Sequence, residues 1–135
     1  MSNYQYLAGF FDGEGCISLS RRRQSNKIRI MIKLGNTIRE PLRLFQKEFK
    51  GNIRYRRPAN PNSKDYYNWF CPSSEWIRFI TKVIIPYSII KKERGQIVLS
   101  FLETKKTGSS RISIDEEKLR VALYLRVRKL NHRGR

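Results

Sequence analysis

Residues 7–15 read Leu-Ala-Gly-Phe-Phe-Asp-Gly-Glu-Gly, and the reading of this string decides the rest of the chain. Tyr4, Leu7, Ala8 and Phe11 recur at i, i+3, i+4 and i+7, which is one face of an α-helix. Gly13 and Gly15 are expected to stop that helix, because glycine readily takes the left-handed conformation of a C-terminal cap. Asp12 and Glu14 then lie at a helix end that already carries partial negative charge. Such a placement calls for a compensating cation, either a bound divalent metal or a basic side chain. Ala8 and Gly9 leave one side of the helix bare, so that a second helix can approach its backbone closely. The plainer alternative is an N-terminal core helix with a glycine cap and two solvated acids.

Working outward, residues 16–23 alternate, with Ile17 and Leu19 on one side and Cys16, Ser18, Ser20 and Arg22 on the other. Period two predicts a strand with one apolar face. After a polar turn at Gln24-Ser-Asn26, residues 27–34 alternate again. Ile28, Ile30, Ile32 and Leu34 face inward, and Lys27, Arg29, Met31 and Lys33 face outward. Thr37 and Glu40 have capping-box spacing, although Pro41 allows a later start, and Leu42, Phe45 and Phe49 mark a short helix ending near Gly51. Residues 52–57 predict a third strand, with Ile53 and Tyr55 inward and Asn52, Arg54 and Arg56 outward. Residues 58–64 are turn-rich, and residues 66–71 form an aromatic fourth strand. Tyr66, Tyr67, Trp69 and Phe70 there have rings that can stack on unpaired bases. Packing under helices accounts for Tyr67 and Trp69 more simply.

Ser73 is the expected N-cap of a helix with Trp76, Ile77, Ile80, Val83 and Ile84 on its apolar face, closed by Pro86. A further helix opens near Lys91 and runs through Ile97, Val98, Phe101 and Leu102. After a loop over residues 104–113, Asp115 can cap a last helix that buries Leu119, Ala122, Leu123, Val127 and Leu130. Residues 126–135 are mostly basic and are expected to fray or to lie near a polyanion. The order α-β-β-α-β-β-α with additional C-terminal helices makes the class α+β, an antiparallel sheet with helices on its apolar face. A single domain over residues 1–135 is expected, with a C-terminal helical extension at about 114–135.

The 29 Lys+Arg against 11 Asp+Glu give a formal net charge of +18, a self-repulsion that a polyanionic partner relieves. Membrane is the poorer candidate, because no apolar run approaches the roughly 18 residues that cross a bilayer and the N-terminus has no signal-peptide pattern. An intracellular setting with reduced cysteines is therefore expected. Cys16 and Cys71 form no Cys-x-x-Cys pair, and the single histidine, His132, lies in the basic tail. Zinc sites and His-based nucleophilic catalysis are thereby disfavoured. An antiparallel sheet whose outward residues are basic can instead lie in the major groove of double-stranded DNA, where base edges carry a readable code. The candidate DNA-facing set is Ser18, Ser20, Arg22, Gln24, Lys27, Arg29, Met31, Lys33, Arg54, Arg56, Tyr66 and Asn68. The competing reading is a charged face that is merely solvated.

The string at residues 7–15 resembles the signature of the LAGLIDADG homing endonucleases: Leu-Ala-Gly, an apolar pair, Asp, a small residue, an acid and Gly. The resemblance extends through the sheet-helix order to the Lys91 region and adds little beyond Thr104. It implies a saddle-like DNA-binding sheet and a metal-dependent, sequence-specific double-strand DNA endonuclease of the intron-encoded type. Glu14 is implied as a ligand for Mg²⁺, with Mn²⁺ as a substitute, and the Gly13 carbonyl as a second ligand. Glu stands where Asp is more usual, moving the carboxylate by one methylene. Asp12 is assigned a capping or pairing role at the helix end, with metal contact left open. The family also carries a lysine after a Pro-containing link between later helices, and Pro86-Tyr-Ser-Ile-Ile-Lys91 fits that position. Lys91 is thus expected near the scissile phosphate as a charge stabiliser or water-activating group, against a plain surface lysine. Asn36 is the expected water-positioning residue, where several family members carry Gln, and Arg39 a phosphate ligand.

One signature per chain implies a C₂ homodimer that reads a pseudo-palindrome, with Leu7, Ala8, Gly9, Phe11 and Asp12 at the interface. A strand of about 8 residues spans roughly 26 Å, and two such half-sites around a centre suggest roughly 20 base pairs. The rival readings are a relative without cleavage, acting as an RNA maturase or a DNA-binding regulator, and a basic structural RNA-binding protein.

Overall fold

The computed structural model describes residues 3–21, 28–104 and 114–133. Helix α1 (Tyr4–Glu14) runs directly into β1 (Gly15–Arg21), which pairs with β2 (Ile28–Asn36). Then come α2 (Arg39–Phe49), β3 (Asn52–Arg56) and β4 (Tyr66–Phe70). After α3 (Ser74–Ile84) a 3₁₀ turn (Ile85–Tyr87) leads into α4 (Lys92–Glu103), and α5 (Ile114–Arg133) closes the described chain. The strands form one antiparallel sheet in the order β1-β2-β4-β3. The α+β class and the element order are those the periodicities predict. Among the described residues no helix is long and apolar enough to cross a membrane.

The sheet is held in register by its apolar face. Ile17 lies opposite Ile32 and Leu19 opposite Ile30, while Leu34 lies opposite Trp69. A slip of one residue would turn this whole set to the other side. Leu7, Ala8 and Phe11 of α1 close over it with Leu42, Phe45 and Phe49 of α2 and Ile77, Ile80 and Ile84 of α3. Phe45, Phe49 and Trp69 are fully buried, with ring centroids 5.4 Å apart for Phe45–Trp69 and 5.8 Å for Phe45–Phe49. Each such pair is worth about 0.5–1.5 kcal/mol beyond the area it buries. The Trp69 indole N–H donates to the Lys50 carbonyl at 2.7 Å, so its one polar atom is satisfied. That carbonyl is presented by a left-handed turn, Lys50 at φ 61° and Gly51 at φ 93°. Position 51 admits only glycine, because a Cβ there would also strike the Phe70 carbonyl oxygen. A second cluster, Leu19, Ile97, Phe101, Leu123 and Val127, joins α4 and α5 to the far end of β1.

Several local expectations are corrected. Gly13 is helical, and Gly15 is extended (φ −81°, ψ 163°), so neither forms a left-handed cap. Glycine is needed at 15 for space: a Cβ there would run into the Phe11 ring. The Thr37–Glu40 capping box is not made. The chain enters α2 through Asn36, whose Oδ1 accepts the Ile38 N–H at 3.0 Å, an Asx-type turn. Ser73 does cap α3, accepting the Trp76 N–H at 3.4 Å. Tyr55 is exposed, because β3 projects past its helical cover; its hydroxyl donates to Asp65 and its ring lies against Tyr67. On α5 Leu123 and Val127 are buried, against β1, β2 and α4, whereas Leu119 and Ala122 are exposed. Residues 126–133 continue α5 rather than fraying, and Arg126 pairs with Glu93 at 3.1 Å. The turn at 24–26 and residues 105–113 lie outside the described residues.

Candidate nucleic-acid interface and acidic helix terminus

The last turn of α1 separates its two acids into different roles. Asp12 turns toward the segment that starts α4. Its Oδ2 accepts the backbone N–H groups of Ile89 (2.7 Å) and Ile90 (3.3 Å), and its Oδ1 accepts that of Lys91 (3.2 Å). Burial pushes this carboxyl up, but those three donors and the Ser88 hydroxyl outweigh it and hold it below the ordinary 3.8. The Asp12 charge at the C-terminal end of α1 is therefore met by three backbone N–H groups of the segment that leads into α4. Glu14 is left exposed at the last helical position. Gly13 beside it is also exposed, and its carbonyl is among the last four of the helix, which have no partner within it.

Lys91 occupies the N-cap position of α4, its backbone N–H taken by Asp12 and its side chain half-buried. Burial lowers its pKa, as does the charge of Arg94, against the opposing influence of Cys16 and Asp12. Asn36 lies at the end of β2, two residues past Leu34, whose partner is Gly15. Its Oδ1 is engaged by Ile38. Arg39 is exposed at the start of α2, its guanidinium 5.2 Å from the centre of the Tyr67 ring. Lys91 is thus tied to the end of α1 through Asp12, Asn36 lies two residues past the register partner of Gly15, and Arg39 opens the next element.

The outward face of the sheet follows from its register. Ser18 lies opposite Met31, Ser20 opposite Arg29, Arg54 opposite Asn68 and Arg56 opposite Tyr66. Lys33 is flanked by Cys16 and by Phe70. These nine predicted DNA-facing residues (Ser18, Ser20, Arg29, Met31, Lys33, Arg54, Arg56, Tyr66 and Asn68) therefore share one surface. Arg22, Gln24 and Lys27 lie outside the described residues. Tyr66 and Asn68 lean over Gly35, where any side chain would collide with the tyrosine hydroxyl. Phe70 was absent from the predicted set. It sits on the same face with the Arg54 guanidinium 5.4 Å from its ring centre, and the alternation from Tyr66 through Asn68 points to it.

The interface set divides. Leu7, Ala8 and Phe11 are 1%, 0% and 3% exposed in the single chain, because they are the residues that hold α1 on the sheet. Asp12 is occupied in binding the backbone N–H groups of residues 89–91, just ahead of α4. Gly9 is exposed with nothing within 4 Å of a Cβ built there, and the same holds for Gly13 one turn on. The bare side of α1 is thus Gly9 and Gly13.

Among the described residues no group of three or more His, Cys, Asp or Glu side chains is placed to hold a metal ion. The oxygen donors at the end of α1, one carboxylate and one helix-terminal carbonyl, nevertheless suit Mg²⁺. That ion is commonly bound through one or two carboxylates and completes its shell with water and substrate phosphates.

The structure thus joins an acidic helix terminus directly to a strand of an antiparallel sheet whose outward face carries Arg29, Lys33, Arg54 and Arg56. A sequence profile of the LAGLIDADG endonuclease family matches residues 7–99, and the chain belongs to that family. No curated protein matches it in sequence. Among solved structures, the archaeal intron-encoded homing endonuclease I-Vdi141I, complexed with DNA, superposes with a TM-score of 0.75 at 18% identity, over 94% of this chain and 82% of that one. The homing endonuclease I-CvuI, in complex with its target in the presence of calcium, gives 0.71 at 18% identity, over 94% and 80%. I-SmaMI, bound to an uncleaved DNA target in the presence of calcium ions, gives 0.71 at 18% identity, over 94% of this chain and 45% of that longer one.

Proposed function

We propose that this chain is a sequence-specific, metal-dependent double-strand DNA endonuclease of the homing type, acting as a homodimer on a long pseudo-palindromic site. The observation that carries this reading is the division of labour at the end of α1. Asp12 is consumed in fixing the Lys91 segment, while Glu14 and the Gly13 carbonyl stay exposed where the basic sheet face begins. Gly9 and Gly13 on the bare side of α1 favour a second α1 against the first, which sets two such termini side by side, one for each DNA strand. The nine residues of β2 span roughly 30 Å, or about 9 base pairs at ~3.4 Å each. Two half-sites and a centre then make a site of roughly 20 base pairs.

Mg²⁺ held by Glu14 and the Gly13 carbonyl would supply charge relief at phosphorus and a polarised water. Lys91 places a cation near the scissile phosphate. Its lowered pKa also raises its neutral fraction toward alkaline pH, which suits proton acceptance from water. Asn36 keeps its amide NH₂ to orient water after its Oδ1 has been used in the turn, and Arg39 is exposed to grip a phosphate. Arg29, Lys33, Arg54 and Arg56 address phosphates or guanines, while Asn68 suits adenine.

The test is selection of cleaved sites from a randomised duplex library, followed by incubation with Mg²⁺ and with chelator. Glu14→Gln should abolish cutting and leave affinity for the selected site unchanged or higher. Retained cutting removes Glu14 from the reaction. Binding by the unaltered protein without any cutting supports a DNA-binding regulator, and preference for folded RNA supports a maturase.

A further inference from the structure

The segment that carries Lys91 is held from two sides. The Lys91 N–H is bound by Asp12, and the carbonyl of the same peptide unit, that of Ile90, accepts from the Arg94 guanidinium at 3.1 Å. A peptide unit bound at both its donor and its acceptor cannot rotate without breaking one bond, so the Cα of Lys91 is fixed in direction as well as in place. Arg94 is itself 8% exposed and makes two further bonds, to Asn131 Oδ1 at 2.7 Å and to the Leu130 carbonyl at 2.8 Å. All three acceptors are uncharged oxygens, two of them backbone carbonyls. Asn131 uses its other end to donate to the Ile17 carbonyl at 3.0 Å. Ile17 is three residues past Glu14 on β1, the edge strand of the sheet. The bonds therefore close a ring: Glu14 and β1, Asn131, Arg94, the Ile90–Lys91 peptide, Asp12, and back through α1 to Glu14.

We propose that Arg94 and Asn131 are positioning residues, which tie α5 into the catalytic framework and fix Lys91 relative to Glu14. Asn131 lies beyond the residues that the family profile matches, so the last helix completes a site whose other members all come from residues 12–94. The inference rests on the assignment of Lys91 and Glu14 to cleavage made above. A guanidinium buried among neutral oxygens carries a desolvation cost that a simple packing role would avoid with an apolar residue. Its forked, planar donors join three separate acceptors, which neither lysine nor methionine reproduces.

Asn131→Leu is the test, because Asn131 is only half-buried and its loss leaves the core clusters intact. Expected is a fall of roughly 10²-fold in the single-turnover cleavage rate of bound duplex, the scale on which a small misplacement acts. DNA affinity should stay within about threefold of the parent, so that the loss lies in the chemical step. Exchange of the Lys91 amide hydrogen should quicken by about tenfold, because Arg94, which holds the carbonyl of its peptide, loses one of its own anchors. Asn131→Asp keeps the acceptor for Arg94 but loses the donor to the Ile17 carbonyl, so it should restore only the part of the rate that the Arg94 link carries. Cleavage at the parental rate in Asn131→Leu overturns the proposal, as does unchanged exchange at Lys91. If the unaltered protein binds DNA but never cuts it, the functional reading fails, and the exchange measurement alone then decides the positioning role.

Discussion

Replacing Asp12 with Asn removes a charge and one of two acceptor oxygens from the point where α1 meets α4. In the native protein that carboxylate takes three backbone N–H groups at 2.7, 3.2 and 3.3 Å. An amide can serve at most its single oxygen to them and turns an NH₂ toward donors it cannot satisfy. Loss of a cap typically costs about 1 kcal/mol, and loss of the charge–dipole interaction about 0.3–1 kcal/mol more at a partly exposed site. The expected destabilisation at neutral pH is therefore about 1–2 kcal/mol, read as a Tm lowered by roughly 3–10 °C for a chain of this size. The pH dependence sharpens the test. Because the folded-state pKa of Asp12 lies below its ordinary 3.8, its contribution is present above that value and is lost as pH falls through the folded pKa. The gap in unfolding free energy between parent and Asp12→Asn, measured by denaturant titration, should hold from neutral pH to about pH 5 and narrow below 3.8. A gap that is absent at neutral pH, or unchanged in acid, refutes the capping account.

Gly9→Leu places a large side chain on the bare side of α1, where a single chain has room for it. Light scattering should show a monomer with near-parental unfolding temperature, and an intact dimer would contradict the interface. Gly15→Ala puts a methyl into the Phe11 ring and should cost about 1–3 kcal/mol by overpacking, measured as a shift in the denaturation midpoint. Burial pushes the Cys71 thiol up to about 12, so a thiol reagent at pH 8 should modify Cys16 and spare Cys71, as peptide mass spectrometry would report. Rapid labelling of Cys71 in the native protein would show that its cover opens.

Periodicity carried much of this structure on its own. Ile17, Leu19, Ile30, Ile32 and Leu34 alternate because one face of a strand is buried and the other is not. That same fact puts Ser18, Arg29, Met31 and Lys33 outside together. The helix spanning Tyr4–Glu14, the cap at Ser73 and the end of α2 near Gly51 were likewise readable, since each depends on residues close by in the chain. What folding alone decided is which groups from distant segments meet. Asp12 finds its donors 77 to 79 positions away, and Asn131 bridges to Ile17 across 114. No local pattern encodes those distances. The apolar stripe on α1 shows the same limit. Its spacing says that Leu7, Ala8 and Phe11 are covered, but only the packed sheet shows that their own chain covers them, leaving Gly9 and Gly13 exposed.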